Sequence, residues 1–318
     1  MKTIVAGALR RSLVVVLMLA SPAITVAQLP STGLSRLLAA EATRYPGSLG
    51  VYVKHLGTGE EAGVRADSSF NSASVIKLPL LALAMQQVDA GTRSLATRLT
   101  ITAESKRGGS GLLQHFDAGL QPTYRDVLSQ MVMTSDNTAT DLAIAQVGGV
   151  ERVNAWIAAN GGGMQLFYTI AQVFAKAREP GYSANARDAV ANKKAYWLGE
   201  VTPRAVGRLL ERLQRCQEGT TQGGAALASK ASCEQMITMM HRQQSGDRRL
   251  PHYLEIPVAH KTGDWPPYLA NDVGILYTKS GPVVVVVCAN NITGNYGEAE
   301  DRIGELGRRI VDYFDGAR

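Results

Sequence analysis

Strand-like segments lie at both ends of this chain, with an almost wholly helical block between them. Near the C-terminus, EIPVAHKTG, NDVGILYT and PVVVVVCAN follow one another with short turns between. Consecutive strands joined so closely must pair antiparallel, because a parallel return needs a crossover of a dozen residues or more. Near the N-terminus, SLGVYVKHL and EAGVRAD read as two more strands around the turn Gly57-Thr58-Gly59. The sheet is therefore expected to be discontinuous in sequence. STGLSRLLAAEATRY, behind a candidate N-cap at Ser31, and AEDRIGELGRRIVDYF carry apolar residues at helical spacing. These terminal helices are expected to cover one face of the sheet. Between the strand groups the pattern is helical: SVIKLPLLALAMQQVD over 74–89, where Pro79 should distort the early turns, then YRDVLSQMVM, TATDLAIAQVG, VERVNAWIAANG, TPRAVGRLLERLQR and SCEQMITMMHRQ. The fold class is α+β, an antiparallel sheet flanked by terminal helices plus an all-helical domain. The boundaries read as 28–72 with 223–318 for the sheet domain and 73–222 for the helical one. The least regular stretch, 161–201, is expected to be an extended loop.

Charge and the first residues concern export. The 318-residue chain has formal net charge +6, which invites a polyanionic partner. Residues 1–27 contain Lys2, Arg10 and Arg11 and no acidic residue, so half of that charge lies there and +3 remains on the rest. The remaining charges are interspersed, and the stripe expected of a nucleic-acid binder is missing. Leu13–Ala20 is an eight-residue apolar run, too short for a membrane span, and Thr25-Val26-Ala27 resembles a signal-peptidase site. Residues 1–27 thus read as a secretory signal, by the general route or, from Arg10-Arg11, the twin-arginine route. No cysteine stands near the cleavage site to carry a lipid anchor. The expectation is an exported protein, periplasmic or secreted, with no membrane span after cleavage.

In an exported chain, Cys216 and Cys233 are expected to form a disulfide and Cys288, at the end of VVVVVC, to be buried and inert; three free thiols are the alternative. The five histidines show no metal-ligand spacing, so no metal or cofactor is expected.

Three short motifs carry the chemistry. Ser74-Val75-Ile76-Lys77 is S-x-x-K at a helix start, where one turn brings an amine beside a hydroxyl. Serine is a weak nucleophile and needs such a base, and a lysine serves when desolvation and nearby positive charge lower its pKa. Ser135-Asp136-Asn137 precedes a helix, and Lys261-Thr262-Gly263 lies at the end of a strand. Singly, each has an ordinary explanation: a chance S-x-x-K, expected roughly once in a chain of this size, a helix N-cap, and a turn with a solvated lysine. In this order they form a recognised catalytic set.

On these residues the chain resembles the class A β-lactamases and related penicillin-binding serine hydrolases over nearly all of its length beyond residue 27. Gly109-Ser110-Gly111-Leu112-Leu113 is similar to the family's loop before S-D-N, and Asn271-Asp272 to the start of its next strand. The resemblance implies that Ser74 attacks a carbonyl and becomes acylated, and that Lys77 takes its proton or holds the base that does. Ser135 would relay a proton to the leaving nitrogen, aided by Lys261. Asn137 would bond the substrate amide, and the N–H groups of Ser74 and Asp264 would form the oxyanion hole. Lys261, Thr262 and Gly263 would line the subsite of a substrate carboxylate. The implied partner is a small β-lactam or a peptidoglycan stem peptide, bound by a monomer. The implied activity is β-lactam hydrolysis through an acyl-Ser74 intermediate. The alternatives are a D,D-carboxypeptidase or related peptide or ester hydrolase, and a penicillin-binding protein that acylates without efficient turnover.

The pattern breaks at two places. The family's E-x-x-L-N, whose Glu activates the deacylating water, is missing. Arg178-Glu179-Pro180 is similar to its R-x-E-P, but Ser183 stands where Asn is expected; Glu179 is either the deacylation base or a solvated loop carboxylate. Glu200, before the next helix, is the other carboxylate to note. Asp264 follows K-T-G where a small neutral residue is usual, and should repel an anionic substrate unless His260 or Lys261 neutralises it. His260 is otherwise expected to be a hydrogen-bonded strand histidine.

Overall fold

The computed structural model describes residues 33–183, 186–220 and 226–316. The expected signal segment 1–27 and the N-cap Ser31 lie outside the described residues. In chain order the elements are α1 (Gly33–Arg44), β1 (Ser48–His55), β2 (Glu61–Val64), β3 (Phe70–Asn71), α2 (Lys77–Asp89), α3 (Tyr124–Met133), α4 (Asn137–Val147), α5 (Val150–Ala159), β4 (Met164–Leu166), α6 (Ile170–Lys176), α7 (Pro180–Ser183), α8 (Ala186–Asn192), β5 (Gly199–Val201), α9 (Pro203–Glu218), α10 (Lys230–His241), β6 (Val258–Trp265), β7 (Leu269–Thr278), β8 (Gly281–Asn290) and α11 (Tyr296–Asp315).

Five strands form one antiparallel sheet in the order β2-β1-β8-β7-β6, so the N- and C-terminal strands share it as the sequence led one to expect. The valine run explains why β8 is central. A strand read as continuous apolar sequence must be buried on both faces, and Val283 to Ala289 are all inaccessible to solvent. Their side chains alternate between two layers. Val283, Val285 and Val287 join Leu34, Ile303 and Ile310 of the terminal helices. Val284, Val286 and Cys288 join the larger cluster that runs through α2, α9 and α10. Burial pushes the Cys288 thiol up to about 12, so it stays protonated and inert.

The segment 161–201 is built of short pieces and not one irregular loop. β5 pairs antiparallel with both β3 and β4 in a small sheet, and α6, α7 and α8 lie between β4 and β5 in the chain. Pieces of three to seven residues are too short to show a clear hydrophobic period, which is why the sequence reads as featureless there. Cys216 at the end of α9 and Cys233 on α10 are disulfide-bonded. A closed loop of that length stabilises by about 3 kcal/mol in the chain-entropy account. No helix of the described residues is long and apolar enough to cross a membrane.

Candidate active site

The chain approaches Ser74 through a constrained turn. Residues 74–89 divide into a 3₁₀ turn, Ala73–Ile76, and the α-helix that begins at Lys77. Pro79 therefore falls in the first turn of α2, where its missing N–H leaves no intrahelical bond unmade, and the departure from α-helix lies in the 3₁₀ turn before it. Ala73 has φ +39°, a left-handed conformation unusual for alanine. The Asn71 side chain holds it, with Oδ1 accepting from the Ala73 N–H at 3.1 Å. The Ser74 side chain is left partly exposed at the floor of a cleft of about 410 Å³.

Lys77 is wholly buried one turn on. Its Nζ donates to Ser135 O at 2.7 Å, Ser135 Oγ at 3.2 Å and Asn137 Oδ1 at 3.3 Å. Ser135 stands at φ +55° immediately before α4, whose N-cap is Asp136. The two Asp136 oxygens accept from Ala139 N and Leu113 N, each at 2.8 Å, tying the helix start to the preceding loop. Gly111 is required in that loop: a Cβ there would lie 2.3 Å from Asp136, and φ is +101°.

Lys261, also wholly buried, reaches the same hydroxyl from β6, donating to Ser135 Oγ at 3.0 Å and Thr262 O at 2.9 Å. One serine hydroxyl is thus held between two amines. Burial, reinforced by the charge of Lys261, sets the Lys77 pKa well below its ordinary value. Burial lowers that of Lys261 to about 8, opposed by Asp264 and Asp272. Both amines thus lose their protons more readily than a free lysine, Lys77 because of burial and the charge of Lys261 beside it.

β6 is an edge strand, so main-chain groups on its outer side have no strand partner. It runs against the Ser74 turn at Gly263, where a Cβ would meet Ser72 O at 2.7 Å and Ser74 N at 3.2 Å. Gly263→Ala is expected to push the strand off the turn and slow acylation of Ser74 about a hundredfold, since a displacement near 1 Å costs that much. Stopped-flow or mass-resolved acylation rates check this; a variant within threefold of the parent would show that the close approach is dispensable.

Asn137 uses Nδ2 on Gly108 O at 2.9 Å as well as Oδ1 on Lys77. Thr262 is buried, its Oγ1 bonded to Ser245 Oγ at 2.8 Å and to Gln243 Nε2 at 3.0 Å. Neither His260 nor Lys261 forms the ion pair with Asp264. His260 Nδ1 bonds to buried Asp272 at 2.8 Å, a satisfied strand histidine. The counter-charge on Asp264 is Arg249, only 3% exposed. Sequence reading missed Arg249, because nothing in Arg248-Arg249 marks one as buried and the other as exposed.

The wall opposite β6 is apolar. Ile170, Val173 and Phe174 of α6 line the cleft. Asp141 of α4 fixes that helix by accepting from Ile170 N at 2.7 Å and Ala171 N at 3.1 Å while paired with Arg107 at 2.6 Å. Glu179 lies exposed between α6 and α7 and is not among the residues that line the cleft. Glu200 on β5 is bound to Lys194 and Ser69. Among the described residues lining the cleft, Asp264 is the only acidic one. No group of three or more His, Cys, Asp or Glu among the described residues could hold a metal ion.

The architecture is that of the class A β-lactamases. The β-lactamase of Sphaerobacter thermophilus superposes with a TM-score of 0.73 at 30% identity, over 89% of this chain and 97% of that one. A mutant of PBP-A, in an acyl-enzyme complex with penicillin G, has the same fold, with a TM-score of 0.72 at 21% identity over 88% of this chain and 95% of that one. A β-lactamase of Mycobacterium tuberculosis is 29% identical over 263 residues, spanning 81% of this chain and 78% of its own. The β-lactamase enzyme family model matches residues 33–314. The chain belongs to the β-lactamase enzyme family.

Proposed function

We propose that the protein is an exported acyl-transfer enzyme that opens a β-lactam, or a related amide, through an ester on Ser74. The observation that carries this reading is the pair of buried lysines converging on Ser135, one of them a single turn along the chain from Ser74. Neutral Lys77 takes the proton as Ser74 Oγ bonds to the carbonyl carbon. The N–H groups of Ser74 and Asp264 stabilise the oxyanion. Ser135 passes a proton to the nitrogen as the C–N bond breaks and recovers one from protonated Lys77, while the charge of Lys261 supports the hydroxyl. In a β-lactam the released amine stays tethered to the acyl group. The M. tuberculosis β-lactamase, alike over most of both chains, supports this substrate class.

A second reading concerns turnover. A water attacking the ester needs a base within hydrogen-bond reach, and the α6 wall offers Ile170, Val173 and Phe174 instead. This favours a long-lived acyl-enzyme, as in a penicillin-binding protein or a peptidase that uses another acceptor. Incubation with a penicillin, followed by intact mass and by substrate loss, tests both readings. A one-to-one adduct that outlasts substrate exhaustion is expected. Fast hydrolysis with no adduct would remove the second reading, and neither adduct nor hydrolysis would remove both. Glu179→Gln is expected to leave the deacylation rate within about twofold, as for a surface substitution remote from the chemistry. A trapped acyl-enzyme in that variant would return the base to Glu179.

A further inference from the structure

The subsite at the end of β6 is electrically unlike a carboxylate trap. Two cations lie there: Arg249 is fully engaged inside the protein, and Lys261 has two of its three donors engaged. Arg249 donates from Nε and Nη2 to Glu300 at 2.9 and 2.8 Å, from Nη1 to Asn271 O at 2.9 Å and from Nη2 to Tyr296 Oη at 3.1 Å, and it is ion-paired with Asp264. All three guanidinium nitrogens are engaged inside the protein. Lys261 is held by Ser135 and Thr262 O, and the Thr262 hydroxyl by Ser245 and Gln243. Against these two cations stand three carboxylates: Asp264, Glu300 and Asp272. Asp264 alone of the three lines the cleft, 30% exposed, and Ser74 lines it too. An anion entering there meets the part-exposed side of a carboxylate whose other oxygen is buried against Arg249. Like-charge juxtaposition rejects wrong partners more strongly than neutral contacts do.

We propose that Asp264 is the specificity determinant of this cleft. It turns the site away from substrates that carry a carboxylate beside the scissile amide and toward those with a neutral or cationic group at that position, such as an ester, an amide or an amine. The inference rests on the acyl-Ser74 reading and deepens it.

Benzylpenicillin and its methyl ester are a matched pair that differ in that charge alone. The readout is the ratio of their second-order acylation rates, carboxylate over ester, in the wild-type protein and in Asp264→Asn and Asp264→Ser. The ratio is expected to rise at least tenfold in both variants. In the wild-type protein, where no substitution can perturb the fold, raising the salt concentration should also raise the ratio, because screening weakens repulsion at a partly exposed charge. A ratio unchanged within twofold in folded variants, or one that salt lowers, would overturn the proposal. No adduct from either compound in any of the three proteins would refute acylation of Ser74 itself, and this inference with it; an ester adduct with an unchanged ratio refutes the inference alone.

Discussion

Lys77→Met is expected to slow acylation of Ser74 about a thousandfold, within the range for loss of a positioned general base, while the protein stays folded. The two halves of this expectation have separate causes. Lys77 is the buried amine one turn from Ser74, the proposed nucleophile, and burial beside a second cation lowers its pKa well below that of a free lysine. Among the described residues lining the cleft the only acidic one is Asp264, and its charge is directed at Arg249. The fold survives because a methionine of similar length fills the space. Ser135 O keeps a second donor, Ser110 Oγ at 3.0 Å, so the acceptor Lys77 leaves behind is not orphaned. Melting temperature and acylation rate, measured on the same sample, check both halves. The wild-type rate should also be bell-shaped in pH. It climbs on the acid side as Lys77 loses its proton, and falls above about 8 as Lys261 loses the charge that supports Ser135. The acid limb should disappear in Lys77→Met.

Asn271→Ala is expected to cost about 4 kcal/mol, from four lost hydrogen bonds and the buried groups left unpaired, and to lower Tm by roughly 10 °C for a chain of this size. Asn271 is fully buried on β7. Its Nδ2 donates to Asn71 O at 2.9 Å and Ser72 O at 3.1 Å. Its Oδ1 accepts from Ala289 N at 3.0 Å and Asn290 Nδ2 at 3.2 Å. Asn290 Oδ1 in turn accepts from Asn71 N at 2.9 Å, and Asn71 Nδ2 donates to Val190 O at 3.0 Å. Three asparagines thus lock the turn carrying strained Ala73, and therefore Ser74, to the central strands and to α8. Loss of Asn271 should slow acylation as well as destabilise, because the left-handed residue loses part of what holds it. Thermal unfolding checks the first effect; a Tm within 2 °C of the parent would show that the network is slack.

What could be read from the sequence follows from where its physical signal is periodic or local. The valine run in 281–290 identifies a central strand, and the two-layer packing of Val283 to Cys288 is the direct result. The three motifs sit on a turn, a helix cap and an edge strand, local structures that the residues themselves specify, and Lys77, Ser135, Asn137 and Lys261 do meet. Contacts across long sequence separations left no such trace. Arg249 reaches Asp264 because the chain after α10 folds back to β6, and no pattern in Gly246-Asp247-Arg248-Arg249 announces it. Glu179 is a related case: a local likeness to R-x-E-P says nothing about which way a carboxylate faces, and this one is exposed between α6 and α7. The apolar wall was hidden because α6 is only seven residues long and its facing partner is the substrate space itself.

The central claim is that one serine carries the acyl group. The most direct measurement is peptide mapping of the protein after incubation with a β-lactam, beside the Ser74→Ala variant treated identically. The account predicts a single modified peptide, with the ester on Ser74, and no adduct of any kind in the variant. An acyl group on another residue, or an adduct that survives Ser74→Ala, would contradict it.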